Sequence, residues 1–197
     1  MIANFSEYIS RYLLRTDKSA PPTPGEHHFV CVYLVPRLFT INGKVPDYIN
    51  PDGTKSILGD VVYYRDGRHH FGIEVKLGTV RLTKREFNEW VVSDDTRLWP
   101  NLFVGISNNG IALASWSEFR CAYLAAVRAK DDNWSPAMIE SGYGPMKGVN
   151  ELSQHLPSGA WFPFAVSQAD ASMHETAFTT ALRRGVESSG GLEFLST

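Results

Sequence analysis

Residues 56–92 carry the clearest alternation of hydrophobic and polar positions in the chain. Two short runs rich in β-branched and aromatic residues, SILGDVVYY and HHFGIEVKL, lie on either side of a turn signal at Asp66-Gly67. Such runs are typical of strands, and a glycine turn between them predicts a β-hairpin.

A helix is predicted directly after this hairpin, from about residue 84 to residue 92. Thr83 followed by Glu86 fits a capping box, which marks a helix start. Hydrophobic residues at helical spacing form its expected buried stripe, namely Phe87, Trp90 and Val91.

The register of the hairpin decides which side chains share a face of the sheet. A two-residue turn at Asp66-Gly67 sets Asp60 opposite Ile73, and Asp60 and Glu74 then point to opposite faces. A three-residue loop that also includes Arg65 sets Asp60 opposite Gly72, and Asp60, Glu74 and Lys76 then share a face. This second register also gathers a continuous apolar surface fit for a core, formed by Val61, Tyr63, Phe71, Ile73 and Val75. Both burial and chemistry favour it, although the pattern leaves the first register open.

The rest of the pattern predicts an α/β (α+β) fold, with a central mixed β-sheet flanked by helices. The run EHHFVCVYLVPRLF at 26–39 fits a buried helix or a buried strand, and its four-residue steps favour the helix. The other predicted helices are at about 4–15, 117–129 and 171–187, and the other strands are at 102–107, 111–116 and 161–166. Loops are expected at 16–25, 42–55 and 131–160.

Composition places the chain among single-domain globular proteins. Its 197 residues suit one domain spanning 1–197, and 43% hydrophobic with 20% charged residues excludes disordered and fibrous classes. A net charge of −2 gives no global basic field, so a nucleic-acid partner would be held by a local patch or through metal ions. Cys31 and Cys121 lack metal-site spacing and are expected to be buried hydrophobes. No secretory signal or membrane-spanning run is visible, which favours a cytoplasmic protein.

Candidate chemistry is concentrated on the hairpin, where Asp60, Glu74 and Lys76 have a route to one point. Magnesium prefers hard oxygen ligands and keeps several waters, so the two carboxylates and the backbone carbonyl of Val75 suffice to hold it. Such an ion can activate water and neutralise charge on a phosphodiester. Lys76 lies two residues beyond Glu74, and on a strand its ammonium projects to the same side, toward the attacked phosphate.

An acid after glycine on one strand, E-x-K on the next and a helix following resembles the PD-(D/E)XK nuclease superfamily, whose fold is called restriction-endonuclease-like. The resemblance implies an αβββαβ core at about 26–107, with the N-terminal helix 4–15 and a C-terminal part at about 117–197 as additions. It also implies an endonuclease that uses Mg²⁺ or Mn²⁺ on a nucleic acid, most naturally DNA, and that can act as a homodimer.

The resemblance assigns roles to single residues. Asp60 matches the metal-binding acid of the family, Glu74 its second acid and Lys76 its catalytic lysine. Many members carry a further glutamate on the first core helix, for which Glu26 is the first candidate and Glu7 the second. Substrate-binding residues on the helix after the motif match Lys84 and Asn88, although a solvated helix face accounts for them more simply.

Three other interpretations stay open at this stage. The chain can be a non-catalytic nucleic-acid or protein-interaction module that keeps the fold, or an RNA nuclease. In a purely structural interpretation, Glu74 and Lys76 are a same-face ion pair on a surface hairpin. Against that, both charges lie in an otherwise apolar strand, IEVKL, where a charge needs a reason.

Overall fold

The computed structural model describes residues 59–65, 69–107, 110–139, 142–163, 183–187 and 189. The predictions for 4–15 and 26–39, and most of that for 171–187, lie outside these residues; within the last, residues 183–187 are helical. The strands are β1 (Val61–Arg65), β2 (His69–Leu77), β3 (Thr79–Val80), β4 (Leu102–Ile106), β5 (Gly110–Ser115), β6 (Lys147–Gly148) and β7 (Trp161–Pro163). The labelled helices are α1 (Lys84–Phe87), α2 (Trp116–Arg128) and α3 (Val149–Leu152). A π-helical segment, Asn88–Val92, continues α1, and short 3₁₀ turns lie at Thr96–Leu98 and Pro136–Met138.

A mixed sheet organises the described part of the chain, with strand order β1-β2-β4-β5-β7. Strand β2 pairs antiparallel with β1 and parallel with β4, while β5 runs antiparallel to both β4 and β7. A parallel neighbour requires a crossover connection, and α1 with its π-helical continuation lies in that connection. The predicted combination of a mixed sheet with helices is therefore found.

The hairpin register differs in detail from both predicted alternatives. Arg65 pairs with His69, and Val61 pairs with Ile73, so the pairing is shifted by two residues from the favoured three-residue register. Because side chains alternate along a strand, a shift by two leaves every residue on its predicted face. Extending this register by one residue sets Asp60 beside Glu74, on the same face of the sheet.

The main described core lies on the face that carries Glu74, which the sequence did not predict. Glu74 pairs with Phe103, and Phe103 pairs with Ala114, so these three side chains share a face. That face packs against α1 and α2, where the Phe103 ring stacks on Phe119 with centroids 4.1 Å apart. On the opposite face Phe71, Ile73 and Val75 are also buried, as predicted. The sheet is thus covered on both sides at β2.

Both helices beside the core begin with a capping box. At α1 the Thr83 hydroxyl accepts from the Glu86 amide and the Glu86 carboxylate accepts from the Thr83 amide, as predicted. Ser115 and Glu118 repeat the arrangement at α2. The Trp116 indole then donates to the Trp90 carbonyl at 2.8 Å and ties α2 to the π-helical segment.

Most other predicted boundaries in the described ranges are accurate to one residue. This holds for 102–107, 111–116 and 117–129, whereas 131–160 also contains β6 and α3. The prediction for Cys121 is wrong, because its thiol is exposed. The buried stripe of α2 runs through Phe119, Tyr123 and Val127, and Cys121 lies off that stripe. No helix in the described residues has the length and apolar character needed to cross a membrane.

Candidate active site

The chain enters β1 through a glycine in a conformation that side chains rarely adopt. Gly59 has a φ of 122°, and a Cβ at this position would lie 2.6 Å from the Ile73 carbonyl oxygen. The backbone of Gly59 therefore passes against β2 more closely than any other residue type would allow. This contact places the next residue, Asp60, at the edge of β2.

The Asp60 carboxylate is anchored to the backbone of β2. Its Oδ2 accepts a hydrogen bond from the Val75 amide at 2.9 Å. Backbone groups of successive strand residues point to opposite edges, and Gly78 donates its amide to Ile106 of β4. The Val75 amide therefore faces the edge of β2 at which Asp60 lies, and by the same alternation its carbonyl faces that edge too.

Glu74 is a carboxylate inside the protein, with 3% of its surface exposed. Its cross-strand neighbours are Asp60 on the β1 side and the apolar Phe103 on β4. Burial raises the pKa of Glu74 from 4.5 to about 8, and the negative charge of Asp60 adds to this rise. The Lys76 ammonium acts in the opposite sense without cancelling it.

Lys76 is in direct contact with Glu74, its ammonium donating to the Oε1 atom. It is half-buried beside Gly105, its partner on β4. Burial alone lowers the pKa of Lys76, but the charges of Glu74 and Asp60 outweigh it and raise the pKa above its ordinary value. Both shifts favour the protonated form, so Glu74 and Lys76 hold their protons more tightly than the two free side chains would.

Glu86 is a third acidic residue near the site, and the sequence analysis treated it only as a helix cap. Its charge raises the pKa of both Glu74 and Lys76, so its carboxylate acts on the same region. The capping box at Thr83 fixes the first turn of α1 and with it the Glu86 side chain. In the sequence, this role could have been inferred from the glutamate of the T-x-x-E capping box, together with the position of that helix over β2.

The other predicted site residues are two on the helix after the motif and two that the structure does not describe. Lys84 is exposed, and its ammonium donates to the Ile139 carbonyl at 3.3 Å. Asn88 is exposed at the start of the π-helical segment. Glu26 and Glu7 lie outside the described residues.

The donor set fits a hard divalent cation. Within the described ranges no three acidic, histidine or cysteine side chains come together as a complete metal-binding group. Two carboxylates and the Val75 carbonyl nevertheless offer three oxygens, which is enough for an ion that keeps several waters. A buried carboxylate with a raised pKa, such as Glu74, also gains most from a nearby positive charge.

Comparison of the chain with protein-family models, with curated proteins and with solved structures finds no match. The function must therefore be inferred from the residues of this chain and their arrangement.

Proposed function

We propose that this protein is a metal-dependent nuclease of the PD-(D/E)XK type that hydrolyses phosphodiester bonds, most naturally in DNA. The observation that carries the proposal is the convergence of Asp60, Glu74 and Lys76 on one face of the hairpin, with Glu74 buried and in contact with Lys76. Burying such a group without a function is expensive, because a carboxylate loses its hydration there.

The roles of the three side chains follow from their positions. Asp60, Glu74 and the Val75 carbonyl would hold a Mg²⁺ or Mn²⁺ ion, which supplies charge neutralisation and a water of lowered pKa. Lys76 remains protonated beside them and stabilises negative charge on the attacked phosphate or orients the water. The amide of Val75 keeps the Asp60 carboxylate in place while this happens.

Topology supports the same proposal. Apart from β3, which pairs in the separate two-stranded sheet, the chain from β1 to β4 runs strand, strand, helix, strand, which is the order of the last four elements of the αβββαβ core. The E-x-K strand, β2, pairs with β1 on one edge and with β4 on the other, so both of its edges are hydrogen-bonded to neighbouring strands. Rigid strands hold reacting groups more accurately than loops do.

The test is cleavage of plasmid and of single-stranded DNA with Mg²⁺, Mn²⁺ or a chelator. Lys76→Met should lower the rate by at least about 100-fold, since it removes a positive charge that acts at the phosphate. Glu74→Gln should do the same, since it removes a carboxylate that would hold the metal ion. Lys130→Met and Glu187→Gln, which change exposed residues elsewhere, are the matched controls and should cleave like the unaltered protein. Circular dichroism establishes that every variant is folded.

Cleavage that survives Glu74→Ala and Lys76→Ala together would refute the proposal. If the protein is instead a non-catalytic module, calorimetry should detect no Mg²⁺ binding. Asp60→Asn should then leave the affinity for a partner unchanged. Running the same assay on RNA separates the two nuclease alternatives by their relative rates.

A further inference from the structure

A second surface of interest lies beside the site and was not found from sequence. It consists of residues 79–86 and 142–147, and we refer to it as the side lobe. The two segments are joined by the short sheet β3-β6, by the bridge between Thr83 and Tyr143, and by a 2.9 Å hydrogen bond from the Gly144 amide to the Leu82 carbonyl. The side lobe thus forms one unit with the start of α1.

The side lobe displays an aromatic ring and a cation stacked on each other. The Arg81 guanidinium carbon lies 3.8 Å from the centre of the Tyr143 ring. Tyr143 is 42% exposed, and Met146, three residues further along the chain, is 61% exposed. A planar guanidinium on an aromatic face is a surface on which nucleobases stack.

This pair is presented by a rigid backbone. The buried Lys147 ammonium donates to the Ala126 carbonyl at 2.7 Å, and the Tyr123 hydroxyl donates to the Pro145 carbonyl. Gly144 lies so close to α1 that a Cβ there would be 2.7 Å from the Phe87 ring. The segment that carries Tyr143 is therefore held against both α1 and α2, and a ligand would bind it with little loss of conformational entropy.

Charge and distance connect the side lobe to the site. Arg81 and Lys84 are exposed, and no described carboxylate forms an ion pair with either, whereas Arg85 is paired with Glu89 at 2.9 Å. Arg81 follows Lys76 by five positions in the sequence. Their Cα atoms are therefore at most about 18 Å apart, or roughly five nucleotides of a stacked strand.

We propose that the side lobe binds a single-stranded segment of the nucleic acid, with Tyr143 stacking on a base and with Arg81 and Lys84 contacting phosphates. The proposal rests on the proposed function for the nature of the partner. Its consequence for substrate choice is a preference for nucleic acid with unpaired bases beside the cleaved bond, since a paired base is not available to stack.

Fluorescence anisotropy with a short labelled single strand of thymidylate, in chelator so that no cleavage occurs, tests this directly. Tyr143→Ala should weaken binding by about 5- to 150-fold, the range expected for loss of one stacked base. Tyr143→Phe keeps the ring and should change affinity by less than about twofold. Arg128→Ala removes an exposed arginine at the end of α2 and is the matched control for Arg81→Ala.

A strand of abasic sites has the same charge without bases, so it separates stacking from electrostatics. The unaltered protein should bind it more weakly than thymidylate by the same factor, and Tyr143→Ala should cause no further loss. Equal weakening toward both strands, or no weakening, would overturn the proposal. So would a protein that binds no oligonucleotide at all, which would point to an acidic protein partner instead.

These outcomes are independent of cleavage. Loss of binding in Tyr143→Ala without nuclease activity in any metal would support the side lobe proposal and refute the proposed function. Cleavage with unchanged binding in Tyr143→Ala would do the reverse.

Discussion

Replacing Gly59 by alanine tests whether the site depends on close contact between its entry strand and β2. The new Cβ would lie 2.6 Å from the Ile73 carbonyl oxygen and 2.8 Å from its carbon, both of which are backbone atoms. Backbone in the middle of a sheet cannot yield as a side chain can. The chain at residue 59 must therefore move away from β2 and take Asp60 with it.

Two costs determine the magnitude. A side chain at a φ of 122° is strained by about 1–3 kcal/mol, and the clash with β2 adds about 1–3 kcal/mol, as overpacking does elsewhere. Gly59→Ala should thus destabilise the fold by about 2–6 kcal/mol, which for a chain of this size lowers Tm by roughly 5–15 °C. Displacing Asp60 by about 1 Å should also reduce cleavage by about 100-fold.

Gly78→Ala is the matched control for this change. Gly78 also has a positive φ, 70°, but a Cβ there meets nothing within 4 Å. Gly78→Ala should therefore lower stability only by the backbone strain, about 1–2 kcal/mol, and should leave activity unchanged. Thermal unfolding followed by circular dichroism, together with cleavage rates and Mg²⁺ calorimetry, measures both variants. If the two substitutions lower Tm and activity equally, close packing at Gly59 does not position Asp60 and the reasoning fails.

Three further predictions concern charge, capping and packing. Because burial raises the pKa of Glu74 from 4.5 to about 8, the folded state keeps a proton that the unfolded state has lost in this window. Without metal, stability should therefore fall as pH rises from 4.5 to about 8. In Glu74→Gln, Tm measured over the same pH range should not show this fall. Thr83→Ala removes the α1 cap and should cost about 0.5–2 kcal/mol in denaturant titration, whereas the exposed Thr96→Ala should change little; equal losses would deny Thr83 its capping role. Gly144→Ala would place a Cβ 2.7 Å from the Phe87 ring and should cost about 1–3 kcal/mol; Gly142→Ala, which meets nothing within 4 Å, is its control, and equal Tm values would contradict the packing argument.

Sequence reasoning predicted the faces of the hairpin through parity rather than through exact pairing. The predicted partner of Asp60 was Gly72, yet the register places it beside Glu74. An even shift preserves which face each side chain occupies, and that face was what the apolar pattern could determine. Strand β4 and helix α2 were equally accessible, β4 as a short continuous apolar run and α2 through its helical apolar period.

The remainder depended on contacts distant in sequence. The sequence could not predict which face of β2 carries the larger core, because β4 is apolar at every position and shows no alternation of apolar and polar residues. Cys121 looked buried because its neighbours are apolar, while the helical stripe turns it outward. The Arg81–Tyr143 pair joins residues that lie far apart in the chain, and no local pattern marks such a pair.

The unexpected core face explains why the site has its electrostatic character. A carboxylate on a solvated face would stay charged near its ordinary pKa, and a neighbouring lysine would add little. Glu74 instead lies on the face that α1 and α2 cover, next to the Phe103 position, so its charge is stabilised only by what the protein or a bound cation supplies. Lys76 supplies part of that charge and the amide of Val75 restrains Asp60, but neither restores an ordinary pKa to Glu74. A divalent cation bound as proposed would displace the proton that burial favours on Glu74, so metal binding there would be linked to proton release.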